Sequence, residues 1–137
     1  SSIIQIDDAA WTQVRLLTDH VINAQDAALQ VRVLDQPTHG NSNHIYEFYV
    51  EPNPGNERGY KATIHFQNGP ILEHGVNGVT NEALLAVVAD RLRGFQSGRF
   101  ACRENGEALT HVEEAIHWLQ QRTIQRRRRG VEGLSIV

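Results

Sequence analysis

The side chains best suited to chemistry are arginines near the C-terminal end, in the run 126–129 with Arg122 one turn earlier. Guanidinium groups pair with phosphates and stack on bases, so the run indicates an anionic ligand such as a pyrophosphate or an oligonucleotide. The run also suits an ordinary helix terminus, because cations complement the helix dipole there and Gly130 can end the helix. Both interpretations stay open at this point.

The other reactive groups form no recognisable catalytic set. Cys102 lies beside Arg103, which would stabilise a thiolate, but no spacing nominates a base for it. The seven histidines lack the i, i+4 pairs or finger-like spacing of metal sites. Glu113 and Glu114 would point about 100° apart on a helix and resemble a solvated face. Because a glycine-rich phosphate loop is also missing from the sequence, we expect no metal, no cofactor and no enzymatic activity.

Two helices in residues 80–129, folded around a turn at 96–99, would position these groups. Apolar residues recur at i, i+3/i+4 and i+7 in both halves, which predicts one buried stripe on each helix. The stripes are Leu84, Val88, Leu92 and Phe95, then Leu109, Val112, Ile116 and Leu119. Thr80 is the predicted N-cap of the first helix. A hairpin of this size has too little apolar surface to fold alone, so it needs cover.

The preceding residues show the period of strands. Residues 29–33, 45–49 and 61–66 alternate apolar and polar side chains, and the connections at 36–43 and 52–56 are rich in turn formers. This pattern predicts three antiparallel strands packed with the helical hairpin. The fold class is therefore α+β: a small antiparallel sheet with a C-terminal two-helix hairpin.

The N-terminal segment, residues 1–28, is less regular. Trp11, Val14, Leu17 and Val21 lie at helical spacing after a potential cap at Asp7 or Asp8, which predicts an N-terminal helix. The alternatives are a strand near residues 3–6, or two short pieces in place of one helix.

Composition limits the protein class. A chain of 137 residues, 40% hydrophobic, predicts one domain covering 1–137, with an N-terminal segment (1–28), a sheet segment (29–79) and a hairpin segment (80–133). The formal net charge of -3 gives no positive field for non-specific nucleic-acid binding. One cysteine, with neither a secretory signal nor a bilayer-spanning run, predicts a soluble cytoplasmic protein.

Several motifs in one order carry a family resemblance. They are residues 65–70 (HFQNGP), 75–82 (GVNGVTNE), 90–92 (DRL), 95–96 (FQ), 100–105 (FACREN), 122–123 (RT) and 129–133 (RGVEG). Together they make residues 43–133 resemble the phage type-one Thoeris anti-defence proteins. The chain departs from that family's pattern at Arg99, where proline is more usual, and at Gly106, which would interrupt the second helix.

The resemblance implies a non-enzymatic sponge. Members of that family bind cyclic ADP-ribose isomers made by bacterial immune TIR enzymes, in the host cytoplasm, and so silence the downstream effector. It implies a homodimer that extends to a hexamer, and a second ligand class, the cyclic oligonucleotides, at separate pockets. Neither a membrane nor a cofactor is implied.

Carried over by position, the family's ligand contacts fall on Phe95, Asn105 and Arg122. A phenyl ring can stack on adenine, an amide can bond the base edge or a ribose hydroxyl, and a guanidinium can pair with pyrophosphate. Arg126 and Arg103 are further candidates, as cations at the two ends of the second helix. In each case an ordinary structural role is the alternative: core packing, helix capping or surface charge.

The spacing of these residues has a geometric consequence. Asn105 and Arg122 are 17 residues apart on one predicted helix, which corresponds to about 25 Å. One small nucleotide cannot touch both within a chain, so Arg122 would have to come from an antiparallel second subunit.

Two other functional classes follow from the residues. A small nucleic-acid-binding dimer would use the arginine run with Tyr46, Phe48, Tyr49 and Phe66 of the sheet, although the acidic total and the single lysine, Lys61, weigh against it. An enzyme that cleaves a cyclic nucleotide would need a base or a metal that the sequence does not offer.

Overall fold

The computed structural model describes residues 2–5 and 13–130, with side chains from residue 14 onward. The chain forms two compact units, and the boundary between them falls between Asn68 and Gly69. In the described residues, the first unit holds the β-strands and the second the α-helices. This is the α+β class predicted from the sequence, while the single-domain organisation stays a prediction.

The first unit contains a five-stranded sheet within the described residues, in the order β1-β2-β3-β4-β5. Each neighbouring pair is antiparallel, so the chain passes back and forth across the sheet. The strands are β1 (Ser2–Gln5), β2 (Gln13–Leu17), β3 (Gln30–Val33), β4 (Ile45–Val50) and β5 (Tyr60–His65). The three strands predicted at 29–33, 45–49 and 61–66 are thereby confirmed as β3, β4 and β5.

The predicted N-terminal helix is wrong, because β2 runs through the middle of that segment. Val14 is buried, and Leu17 pairs with Val31 of β3. The spacing of Val14, Leu17 and Val21 fits either a helix or a strand followed by a turn. The segment forms a strand because it pairs with β1 on one side and β3 on the other. Sequence periodicity does not reveal such pairing.

The alternative prediction, a strand near residues 3–6, is confirmed as β1. The only helical turn that the structure describes between residues 13 and 28 is a short 3-10 turn at Asp26–Ala28. Asp7, Asp8 and Trp11, which were assigned to the start of the helix, lie outside the described residues.

One face of the sheet carries a charged cluster. Arg32 of β3 lies opposite Glu47 of β4, which lies opposite Thr63 of β5. The Glu47 carboxylate is largely buried and pairs with Arg32 at 3.2 Å and with Lys61 at 3.7 Å. The Arg32 guanidinium also lies 4.1 Å from the ring centroid of Tyr49. Burial of this carboxylate is tolerated because it has partners on both sides.

The connection between β3 and β4 is held by Asp35. Its carboxylate accepts hydrogen bonds from the backbone N–H of His44 at 2.8 Å and of Ile45 at 3.2 Å. Its own carbonyl accepts from the side chain of Asn43 at 2.6 Å. These hydrogen bonds hold the start of β4 in place. The loop is too long to be a tight turn, so side-chain bonds position it instead.

The second unit contains α1 (Ile71–His74), α2 (Asn81–Gln96) and α3 (Arg103–Arg128). Thr80 caps α2 as predicted, its hydroxyl accepting from the N–H of Ala83 at 3.1 Å. Gly130, at φ 72°, follows the last turn of α3 and donates to the carbonyl of Arg127, which confirms it as the helix stop. The outer limits of the two long helices are therefore as predicted, whereas residues 97–102 join them in place of the predicted turn at 96–99. The helix α3 runs unbroken through Gly106.

The packing face of α2 includes Leu84 and Leu92 of the predicted stripe, which are half-buried, but not Val88 and Phe95. Ala89 is fully buried, whereas Val88 is 40% and Phe95 39% exposed. The buried side is thus centred on Ala89, about 100° around the helix from Val88. The side chain of alanine is small enough to be covered completely where two helices pack together. On α3 the predicted stripe is correct, with Leu109, Val112, Ile116 and Leu119 all half-buried.

Candidate ligand-binding site

Two exposed phenyl rings mark the turn end of the hairpin, where residues 97–102 join α2 to α3. Phe95 and Phe100 meet edge to face, with centroids 6.4 Å apart, and remain 39% and 62% exposed. Arg91 lies 5.6 Å from the ring of Phe95, and Arg99 lies 5.2 Å from the ring of Phe100. Each ring therefore has a cation beside it, an arrangement suited to a base that carries phosphates.

The predicted contact Asn105 lies in the first turn of α3, at this same end. Its side-chain Nδ2 donates to the carbonyl of Phe100 at 3.5 Å, and its backbone N–H donates to the Sγ of Cys102 at 3.4 Å. Cys102, not Asn105, is thus the N-cap. In the described residues nothing donates to Asn105 Oδ1, so this acceptor is available to a ribose hydroxyl or to the amino group of a base.

The loop of the turn is held by Gln96. Its Nε2 donates to the carbonyl of Cys102 at 3.1 Å, and its Oε1 accepts from the N–H of Cys102 at 3.0 Å. A Cβ atom added to Gly106 would come within 3.1 Å of Gln96 Nε2. The glycine that was expected to interrupt α3 instead leaves space for this side chain.

The arginine end of the hairpin is the C-terminal part of α3. Arg122 is exposed, and Arg126 is half-buried. Arg126 continues the 3-4 spacing of the half-buried residues Leu119 and Thr123 on the side of α3 that packs on α2. The two arginines therefore differ, since Arg122 presents its guanidinium to solvent and Arg126 only in part.

The structure brings some of the predicted residues to one end of the hairpin and separates the rest. Phe95, Arg103 and Asn105 lie at the turn end, while Arg122 and Arg126 lie at the arginine end. Because α3 is continuous, Asn105 and Arg122 are about 25 Å apart along its axis. Sequence patterns missed Arg91 and Phe100, although a second aromatic residue five positions after Phe95, across a Ser-Gly turn, was an available signal.

The candidates for other chemistry have structural roles. Glu113 pairs with Arg93 of α2 at 3.0 Å, and Glu114 lies 3.8 Å from His111, so these two carboxylates form the charged surface that the sequence predicted. Across the residues the structure describes, no group of three or more His, Cys, Asp and Glu side chains is placed to hold a metal ion. No helix of the described chain is long and apolar enough to cross a bilayer.

The four aromatic residues of the sheet do not form one exposed stacking surface. Tyr46 and Phe48 point to one face of β4 and Tyr49 to the other. The Tyr46 ring packs edge to face on Phe66, with centroids 5.4 Å apart, while Tyr49 is covered by Arg32. All four rings are half-buried. This argues against the nucleic-acid-binding alternative, which needs several exposed rings on one face.

Comparison with known proteins identifies the hairpin. Residues 60–123, from the start of β5 to the last turns of α3, match the family model described as Acb2/Tad1, hairpin domain. This part of the chain is therefore similar to the Acb2/Tad1 hairpin. A protein of Bacillus phage SBSphiJ7 named Thoeris anti-defense 1 is 56% identical to this chain over 75 residues. The resemblance to the anti-Thoeris family predicted from the sequence is confirmed.

The match to this relative covers 55% of the chain and 53% of the relative, so the chain spans about half the length of the curated protein it resembles. Phe95, Arg103, Asn105 and Arg122 all lie within the matched residues 60–123, and Arg126 lies just beyond them. Strands β1 to β4 precede residue 60 and therefore also lie outside the matched residues.

Proposed function

We propose that this protein binds and sequesters a cyclic ADP-ribose immune signal without cleaving it, and so blocks Thoeris signalling in the cytoplasm of the host bacterium. The observation that carries the proposal is the exposed ring of Phe95 with Arg91 beside it, at the turn end of a hairpin similar to the Acb2/Tad1 hairpin. The relative named for anti-Thoeris defence supports a role against the same immune system.

The ligand has three groups that the candidate residues suit. Adenine stacks on Phe95, whose exposed face is flanked by a guanidinium. A ribose hydroxyl or the adenine amino group donates to Asn105 Oδ1. The pyrophosphate pairs with Arg122, and Arg103 and Arg126 add positive charge near the two ends of the site.

The site requires two copies of the chain. Since about 25 Å separates Asn105 from Arg122 on α3, the second copy lies antiparallel and supplies Arg122 to the turn end of the first. Two equivalent pockets then form per dimer. The apolar side chains Val87 and Val88, which are 58% and 40% exposed on α2, support such a dimer, because the hairpin leaves them uncovered. Dimers assemble further into a hexamer.

Sequestration without cleavage is supported by the chemistry at both ends. Glu113 is already paired with Arg93, and Glu114 lies 3.8 Å from His111. Arginines, phenyl rings and an amide bind nucleotides but do not supply a general base. The ligand would therefore be released intact when the protein unfolds.

The test is recovery of ligand after binding. The protein is mixed with a purified cyclic ADP-ribose isomer, free ligand is removed by gel filtration, and the protein is then heated and its supernatant analysed by chromatography. Intact ligand released from the protein is the expected result. Degraded ligand would support the enzyme alternative, and the absence of ligand would refute the proposal. Phe95→Ala is the matched control, because the pocket would lose its stacking ring.

A second candidate ligand is a cyclic oligonucleotide of the kind used in CBASS immunity. The observation that favours it is the arginine run 126–129, which lies beyond the matched hairpin residues and offers several guanidinium groups. A labelled cyclic trinucleotide would bind at this separate place, and an excess of the cyclic ADP-ribose isomer would not displace it. Displacement would refute a separate pocket.

A further inference from the structure

Trp118 is the most exposed aromatic ring among the described residues of the two long helices. Its side chain is 69% exposed, which is costly for a group that buries up to about 250 Å² elsewhere. It lies about 100° around α3 from Leu119 and farther still from Ile116, so it is not on the side that packs on α2. Its ring contacts the neighbouring His117 edge to face, with centroids 5.7 Å apart.

Trp118 and Arg122 share one side of α3. They are four positions apart, which places them about 40° apart around the helix and about 6 Å apart along it. Side chains on a helix lean toward its N-terminus, so Arg122 extends over the turn that carries Trp118. Among the described residues, the arginines that form cation-π contacts are Arg32, Arg91 and Arg99. The guanidinium of Arg122 therefore does not cover the ring of Trp118. Both surfaces are therefore available to a ligand.

This pair matches the two ends of an adenosine diphosphate group. An indole ring offers the largest stacking surface of any side chain, and the guanidinium offers a fork for phosphate oxygens. In adenosine diphosphate one ribose separates the base from the phosphates, a spacing similar to one helical turn. An adenine stacked on Trp118 would thus direct its diphosphate to Arg122.

We infer that Trp118 is a second stacking residue of the nucleotide site, an assignment that rests on the proposed function. In the antiparallel dimer, Trp118 and Arg122 of one copy approach the turn end of the other copy together. The adenine ring then lies between Phe95 of one copy and Trp118 of the second. Two aromatic surfaces from different copies hold one base, and the ligand joins the two chains.

Tryptophan fluorescence provides the direct test. The chain has two tryptophans, Trp11 and Trp118, so Trp11→Phe leaves Trp118 as the single reporter. Adding the cyclic ADP-ribose isomer to this variant should quench its emission, with a midpoint equal to the dissociation constant measured by calorimetry. Unchanged emission under conditions in which calorimetry detects binding would overturn the assignment.

Affinity measurements separate stacking from dimer formation. Trp118→Ala should weaken binding about tenfold or more, the usual effect of removing one base-stacking ring, while Trp118→Phe stays close to the natural protein. Light scattering should show Trp118→Ala as the same oligomer as the natural protein. Full affinity in Trp118→Ala, or loss of affinity together with loss of the dimer, would overturn the inference. If the natural protein itself does not bind, the proposed function fails instead.

Discussion

The side-chain amide of Gln96, the last residue of α2, forms two hydrogen bonds with the backbone of Cys102, the residue that caps α3. The amide thus substitutes for a backbone partner across a loop that has no regular structure of its own. Phe100, whose carbonyl accepts from Asn105, lies inside the segment that this pair closes. The geometry of the turn end therefore depends on one glutamine that need not touch a ligand.

Replacing Gln96 by alanine should lower the free energy of unfolding by roughly 1–3 kcal/mol, since each lost hydrogen bond contributes about 1 kcal/mol. Ligand affinity should fall as well, because Phe100 and Asn105 lose their fixed positions. Chemical denaturation and calorimetry would measure the two effects. Gln120→Ala, at an exposed position of α3, is the control. A Gln96→Ala protein as stable as this control would contradict the role given to the amide.

Gly106→Ala tests the same contact from the other side. Alanine in a helix is favoured over glycine by about 1 kcal/mol, but the new methyl group would approach Gln96 Nε2 to 3.1 Å. The substitution should therefore raise the free energy of unfolding by less than about 1 kcal/mol in the natural protein, and by the full amount in a Gln96→Ala background. Denaturation of the four proteins of the double-mutant cycle measures the coupling. Equal increases in stability in both backgrounds would show that the side chain of Gln96 does not need the space left by Gly106.

Mixing two defective variants tests whether each pocket uses two chains. Phe95→Ala and Arg122→Ala should each weaken ligand binding about tenfold or more. When the two are unfolded, mixed equally and refolded, half of the dimers are mixed, and each mixed dimer has one intact pocket. Titration calorimetry should then find about a quarter of the pockets at full affinity. Recovery of no pockets would refute the shared arrangement.

The exposed side of α2 gives a prediction about the assembly. Val87→Glu should convert the dimer to a monomer, because a carboxylate placed among apolar side chains at an interface loses its hydration. The monomer should bind the cyclic ADP-ribose isomer weakly or not at all. Light scattering and calorimetry measure these outcomes, with Gln120→Glu as a variant of equal added charge. A monomeric protein with full affinity would rule out a pocket that needs two copies.

In the sheet unit, Asp35→Ala should cost about 2–3 kcal/mol of stability, because two backbone N–H groups at the start of β4 lose a charged acceptor. Asp19→Ala, at an exposed turn position, is the control and should change stability by less than about 0.5 kcal/mol. Thermal unfolding followed by circular dichroism distinguishes the two. Similar losses in both variants would mean that the carboxylate of Asp35 is not needed to fix the loop.

Where a residue pattern records a local property, the sequence predicted the fold correctly. Alternation at residues 45–49 and 61–66 gave β4 and β5, and Thr80 and Gly130 marked the limits of the hairpin because a cap and a stop are local chemistry. The errors concern relations between distant residues. Val14 belongs to a strand only because two other strands flank it, and the buried side of α2 contains Ala89 instead of Val88 because of the helix that packs on it.

The candidate site divides in the same way. Phe95, Asn105 and Arg122 were nominated by resemblance, since each residue alone fits an ordinary structural role equally well. Gln96 and Phe100 were missed because their importance depends on a loop conformation that no periodicity describes. The exposed state of Trp118 was likewise invisible, because an aromatic residue in a helical pattern is more often part of the core.

The unbroken course of α3 has a consequence for how this protein can vary. Inserting or deleting one residue between Asn105 and Arg122 would turn one end of the helix relative to the other by about 100° and shift it by about 1.5 Å. In the shared pockets that single change would misalign both sites of the dimer at once. Among natural variants of this chain, amino-acid replacements should therefore be frequent on the outer surface of α3 away from Trp118 and Arg122, whereas changes in its length should be eliminated by selection.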